Sequence, residues 1–244
     1  MPNRREFIGS VFKTLGAGAA VLYGLGSLTA LGGKESGKTA VVPIGRFAID
    51  YSKCIGCGSC VRACREENDI PPGFTRTWIE RYQVGTGGEV SINSPEAGEF
   101  GFPPTAEPEV HGRTFFVPKL CNQCSNPPCV AACPVHATFI SPGGFVLIDT
   151  KLCIGCSYCI LACPYGARYR RPDLGTADMC NWCYHRIAQD LEPLCVEVCH
   201  AGARQWIAPG TSENPGSQKQ ARPLRPGTET KPKVLYYNLD PVVR

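Results

Sequence analysis

The chain of 244 residues is 43% hydrophobic and 19% charged, as in an ordinary globular protein long enough for one or two domains. Its formal charge of +4 includes a net +2 from Arg4, Arg5, Glu6 and Lys13; the rest carries too little positive charge, in no long stripe, for a nucleic-acid footprint. Twenty-two prolines and twenty-seven glycines put much of the chain in turns and loops, and sixteen cysteines offer the staples such a chain needs.

At the N-terminus, Arg4-Arg5 is followed by Glu6-Phe7-Ile8 and then by eighteen uncharged residues, Thr14 to Leu31, rich in Gly and Ala. Paired arginines ahead of a moderately apolar core resemble a twin-arginine export signal, here residues 1–33. Eighteen uncharged residues are also just enough to span a bilayer, although the glycines weaken a membrane helix. "SLTALGG" is a poor small-x-small cleavage site, so a removed signal and a retained anchor both stay open. Either places the protein on the exported, periplasmic face of the cytoplasmic membrane. Exported thiols usually oxidise to disulfides. The twin-arginine route resembles one used by proteins that fold around a cofactor before export, which reconciles export with thiolates that already hold metal.

Next comes "GRFAIDYSKC", a β-branched and aromatic strand ending in Asp50. It leads into the first of four cysteine quartets, "CIGCGSCVRAC", with Cys54, Cys57, Cys60 and Cys64. An insertion, residues 65–120, starts helical and turns Gly- and Pro-rich ("VGTGGEVSINSPEAGEFGFPPTAEPEVHG"), a long irregular segment of the functional or partner-bound kind. The second quartet, "CNQCSNPPCVAAC", gives Cys121, Cys124, Cys129 and Cys133, with two extra residues in its middle gap. "ATFISPGGFVLID" then predicts a hairpin with Pro142-Gly143-Gly144 at its tip. The third quartet is Cys153, Cys156, Cys159 and Cys163; the last is Cys180, Cys183, Cys195 and Cys199, with an eleven-residue middle gap. After the fourth cysteines, "PVHATFI", "PYGARYR" and "HAGARQWI" repeat a short turn into a strand. Residues 209–232 read as a polar arm, and the closing "KVLYYNLDPVVR" as an apolar tail that packs on the chain's own body or on a partner. Insertion and tail together are expected to be ordered chiefly by neighbouring subunits.

The quartet spacing has a mechanical reason. A C-x2-C-x2-C loop curls three sulfurs toward one small cubane. A fourth cysteine, three residues on, is expected to begin a helix and point toward a neighbouring cluster, as in bacterial ferredoxins. Pro134 and Pro164 follow their fourth cysteines; Arg65 and His200 stand there in the other two quartets. Tetrahedral zinc is the alternative for thiolate quartets, and the last quartet alone would suit it. Tight three-sulfur loops, repeated with the offset fourth cysteine, favour iron–sulfur cubanes over zinc and over disulfides.

Four quartets in this order, with the long gap in "CNQCSNPPC" and the wide one in "CNWCYHR…LCVEVC", resemble the iron–sulfur subunits of complex molybdoenzymes. The likeness covers roughly residues 45–207 and is strongest to exported, menaquinone-linked complexes of the polysulfide, thiosulfate, tetrathionate or formate-dependent nitrite reductase type. It implies an α+β fold of two ferredoxin-like modules with long loop insertions. The first module is 45–64 plus 170–207, the second 121–169, with the 65–120 insertion between them and an extended arm at 208–244. It also implies four 4Fe–4S clusters held crosswise. Cys54, Cys57 and Cys60 join Cys199; Cys180, Cys183 and Cys195 join Cys64; Cys121, Cys124 and Cys129 join Cys163; Cys153, Cys156 and Cys159 join Cys133. Trp182 lies between two ligands and replaces none.

The implied role is a non-catalytic electron wire between a molybdopterin-type catalytic subunit and an integral-membrane quinone-reactive subunit. In an alternative, the same wire serves a multihaem cytochrome c with no active molybdenum site. The chain has no P-loop, dinucleotide fingerprint or nucleophile elbow. His136, His185 and His200 stand beside cysteine loops, suited to tuning potentials, while His111 stands apart. Lys53, Lys119 and Lys151 precede quartets, and Arg168, Arg170 and Arg171 follow the third; they are either a solvated face or charges that raise a potential or dock a partner.

Overall fold

Phe47, Ala48 and Ile49, the apolar stretch ahead of the first cysteine loop, are fully buried in strand β1 (Arg46–Asp50). The computed structural model describes residues 41–104, 111–211 and 221–243, within a unit that begins at Val41; the expected export signal lies outside them. Asp50 ends the strand, and its carboxylate accepts from the Ser52 amide (3.3 Å) to cap a 3-10 turn that leads into the cysteines. Helix α1 (Ser59–Glu67) follows and buries Cys60, Val61, Ala63 and Cys64.

The 65–120 insertion is more regular than its composition predicts. It contains strands β2 (Thr77–Gly85), β3 (Val90–Asn93) and β4 (His111–Leu120), paired antiparallel in the order β3-β2-β4. Ile79, Tyr82, Val117 and Leu120 from this sheet share one core with Phe47 and Ile49. Many of its glycines and prolines sit in the connections, whereas "TWIERYQVG" and "RTFFVPKL" are runs of strand-forming residues. Pro118 is tolerated because β4 lies at a sheet edge.

The rest alternates one-turn helices with short strands. Helix α2 (Pro128–Ala131) precedes the hairpin of β5 (Thr138–Ile140) and β6 (Val146–Ile148), which forms where the sequence predicts it. Helix α3 (Tyr158–Leu161) precedes a second hairpin, β7 (Arg168–Arg170) with β8 (Ala177–Met179). Helices α4 (Tyr184–Ile187) and α5 (Leu194–Glu197) lead to β9 (Arg204–Ile207), then β10 (Ala221–Arg222) and β11 (Val234–Tyr237). Small sheets and short helices make this an α+β arrangement.

The tail belongs to the chain's own core. Strand β11 pairs parallel with β1, Phe47 opposite Val234 and Ile49 opposite Tyr236, inside a sheet of order β10-β11-β1-β9. Val234 and Tyr236 have no solvent exposure. The expectation that neighbouring subunits order insertion and tail is therefore corrected: both supply core strands within the single chain. No helix among the described residues is long and apolar enough to cross a membrane.

Candidate metal centres

All four cysteine loops open with the same turn. The residue just before the second cysteine has a positive φ: Gly56 (71°), Gln123 (44°), Gly155 (69°) and Trp182 (57°). The left-handed residue reverses the chain within two positions. Glycine takes this conformation without strain, and Gly155 has no room for more, since a Cβ there would lie 2.2 Å from the Gly175 carbonyl oxygen.

The third cysteine of every quartet is the second residue of a helix: Cys60 in α1, Cys129 in α2, Cys159 in α3 and Cys195 in α5. The fourth does not begin a helix as expected. Cys64 lies within α1, while Cys133, Cys163 and Cys199 come directly after the C-cap residues Ala132, Ala162 and Val198. The three-residue gap advances four positions, just over one helical turn and about 6 Å of rise, so the turn itself separates the third thiol from the fourth.

Distant quartets meet. Cys54, Cys57 and Cys60 line a cavity of about 130 Å³ with Cys199, Arg204 and His200. Cys121, Cys124 and Cys129 line a smaller one with Cys163 and Arg168. Cys64 is a close electrostatic neighbour of Cys183 and Cys195, and Cys180 of Cys64, Cys195 and Cys183. The last set is less closely drawn together. Cys133 Sγ accepts from the Thr138 amide (3.4 Å) and Cys153 Sγ from the Ala177 amide (3.4 Å), while α2 and α3 pack side by side.

The donor chemistry fits iron–sulfur cubanes. None of the sixteen cysteines is in a disulfide. Burial pushes the thiols up, Cys54 to about 11 and Cys121 and Cys195 to about 12, so buried thiolates need a compensating positive charge, which a bound metal supplies. Two arginines already point that way: Arg204, whose Nη1 lies 3.8 Å from Cys195 Sγ, and Arg168, whose ionisable neighbours are Cys129, Cys121 and Cys159. Each keeps a buried nitrogen with no hydrogen-bond partner, Arg204 Nε and Arg168 Nη2. Among the described residues, no three Cys, His, Asp or Glu side chains are close enough to hold a single metal ion. In two of the sets the thiols line a cavity, as a multi-atom group requires, whereas one zinc draws its sulfurs to about 2.3 Å.

Comparison with known proteins agrees. Residues 53–137 and 113–208 each match a 4Fe–4S dicluster domain family. The chain is 43% identical to a tetrathionate reductase subunit of Archaeoglobus fulgidus over 195 residues, covering 79% of this chain and 81% of that one. It is 38% identical to the thiosulfate reductase electron transfer subunit PhsB of Salmonella typhi (64% of this chain, 72% of that one) and 35% identical to protein NrfC of Escherichia coli (87% and 91%). The chain belongs to the iron–sulfur electron-transfer subunits of reductase complexes. Such a subunit carries 4Fe–4S clusters, and the two dicluster domains account for the repeated loops.

Among this iron–sulfur subunit's histidines, His200 lines the first cavity and His185 Nε2 pairs with Glu67 (2.7 Å). Lys53 and Lys151 are exposed, but Lys119 is buried against Glu80 (2.6 Å) and Tyr82 and belongs to the insertion's own sheet. Of the three arginines after the third quartet, Arg168 is buried and Arg170 exposed, while Arg171 is tied to Asp173 and Asp178. Sequence reasoning missed Arg204, Gln123 and the threonines that anchor the arginines. The available signal was the Gly-Ala-Arg triplet shared by "PYGARYR" and "HAGARQWI".

Proposed function

We propose that this subunit passes single electrons along four 4Fe–4S clusters, between a molybdopterin-type catalytic subunit and a membrane quinone-reactive subunit on the exported face of the membrane. The observation that carries this reading is the serial arrangement of thiols from different quartets. Cys60 and Cys195, from the two sets of the first module, both lie beside Arg204. Cys180 neighbours Cys121, from the next module, and Arg168 then lies beside both Cys121 and Cys159. The two exposed cysteines, Cys57 and Cys156, belong to the outermost sets of this series.

In this reading Cys54, Cys57, Cys60 and Cys199 hold the first cluster, and Cys64, Cys180, Cys183 and Cys195 the second. Cys121, Cys124, Cys129 and Cys163 hold the third, and Cys133, Cys153, Cys156 and Cys159 the fourth. When bound, such clusters supply one-electron transfer at potentials set by charge, hydrogen bonding and exposure. The chain's own residues hold the ligands apart by one-turn helices and keep the inner thiols from water. They also place exposed apolar side chains at both ends: Ile55 beside Cys57, and Leu152, Ile154, Tyr158 and Leu161 around Cys156. Exposed apolar groups beside the end thiols are what docking to a donor and an acceptor needs.

Iron analysis and electron spin resonance of the purified chain test the cluster count. About sixteen irons and four reducible cubanes are expected from the four-cysteine rule; iron near half that, or stoichiometric zinc, overturns the reading. Subunits that co-purify with the chain from its native membrane test the partners.

A further inference from the structure

Arg168 and Arg204 occupy one position in two repeats. Each closes a Gly-Ala-Arg triplet, stands five residues after the fourth cysteine of its quartet, and begins a strand. Thr138 has the matching place after the second quartet, five residues past Cys133 and first in β5; Thr77, first in β2, is the strand start that follows the first quartet. The four residues pair across repeats. Arg168 Nη1 donates to Thr138 Oγ1 (3.3 Å), and Arg204 Nη2 donates to Thr77 Oγ1 (2.7 Å). All four are buried, the arginines at 5% and 2% exposure.

A threonine hydroxyl carries no charge, and among the described residues neither guanidinium makes an ion pair with a carboxylate. A permanently charged group does not stay buried without a counter-charge. Apart from the Tyr236 phenol beside Arg204, their ionisable neighbours are cysteines, and these come from two sets at once. Arg204 lies beside Cys54 and Cys60 of one set and Cys195 of the next; Arg168 lies beside Cys121 and Cys129 of one set and Cys159 of the next. The orphaned Arg204 Nε and Arg168 Nη2 are further donors within these buried sites.

We propose that Arg168 and Arg204 are equivalent charge bridges, one in each module, each shared by two cluster sites. This rests on the four-cluster reading. Each guanidinium donates N–H bonds toward sulfur on both sides, and its fixed charge raises both potentials and lessens the repulsion between two reduced neighbours. The electron comes from the adjoining subunit. No bond is made at the arginine, which keeps its proton throughout. Thr77 and Thr138 are positioning residues that set each guanidinium midway.

The test is potentiometric titration of the full chain in its complex, followed by electron spin resonance, for Arg204→Met, Arg204→Lys, Arg168→Met and Arg168→Lys. Each Met variant is expected to lower the reduction equilibrium constants of two clusters at least tenfold, about 59 mV for a one-electron couple, and to leave the other two unchanged. The two arginines should affect different pairs. The Lys variants should retain most of the wild-type potential. Met variants with full iron and unaltered potentials overturn the proposal, as do Lys variants that shift as far as Met. If a Met variant fails to load iron, the Lys variant decides: full loading with near-native potentials supports the bridge, and equal loss of iron shows a packing role and overturns it. Wild-type chain with too little iron would instead sink the four-cluster reading.

Discussion

Gln123 and Trp182 hold the same position in two cysteine loops, and each reaches into the other's loop. Gln123 Nε2 donates to the Cys180 carbonyl (3.0 Å), and Trp182 Nε1 donates to the Cys121 carbonyl (2.9 Å). Both have positive φ without being glycine, a conformation that costs about 1–3 kcal/mol. Both are essentially fully buried, and Gln123 also exchanges bonds with Val146, accepting from its amide at 2.7 Å. Trp182 packs tilted against Phe47 (5.5 Å between ring centres) and edge-on against Trp206 (5.7 Å). The strain is offset because the side chains lock the two inner quartets together.

Trp182→Ala is expected to destabilise the loaded chain by about 3–5 kcal/mol, as large-to-small core changes do. Trp182→Phe, losing mainly the indole hydrogen bond, should cost about 1 kcal/mol. The guanidinium midpoint for loss of cluster absorbance under anaerobic conditions reads both. Equal midpoints for the two variants would refute the packing role.

The crosswise cysteine sets predict which lesions resemble one another. Cys199 shares a cavity with Cys54, although 145 positions separate them in sequence, so Cys199→Ser should perturb the same spin signal as Cys54→Ser. Cys195→Ser, only four positions from Cys199 in sequence, should perturb the signal that Cys64→Ser perturbs, since Cys195 is the neighbour of Cys64. If Cys199→Ser and Cys195→Ser alter one and the same signal, the crossing is wrong.

The tail should be stable in the isolated subunit. Val234–Tyr237 lies between β10 and β1, so its amides are expected to be among the slowest to exchange in the free chain. Truncation before Lys233 should abolish soluble, iron-loaded protein. Hydrogen exchange that shows these amides protected only in the complex would contradict this.

Asp178 ties the insertion to the hairpin after the third quartet. It holds Arg76 at 2.8 Å and accepts from the Tyr169 hydroxyl at 2.5 Å, with both ion-pair partners largely buried. Asp178→Ala leaves a buried guanidinium without its carboxylate and should cost about 3 kcal/mol. Glu197→Ala, removing an exposed partner of Arg186, should change the denaturation midpoint little.

The sequence by itself determined the chemistry, because the cysteine spacing is local: two- and three-residue gaps fix which thiols share a loop or a helical turn, whereas the meeting of thiols from distant quartets is a matter of tertiary packing. It also determined the β5–β6 hairpin, since Pro142, Gly143 and Gly144 break the chain between two apolar runs. Strand β11 was not legible, because its parallel partner β1 lies almost two hundred positions away and parallel pairing leaves no local turn signal. Composition misled in the insertion, where Gly- and Pro-rich connections drew attention from β2 and β4. Only the tertiary structure decided which arginines matter. Arg168 and Arg170 differ by two positions on one strand, yet one is buried among thiols and the other faces solvent. In the same way, only long-range packing brings Arg204 to Thr77 and Trp182 to Cys121, since each contact joins residues whose local sequence carries no mark of the other.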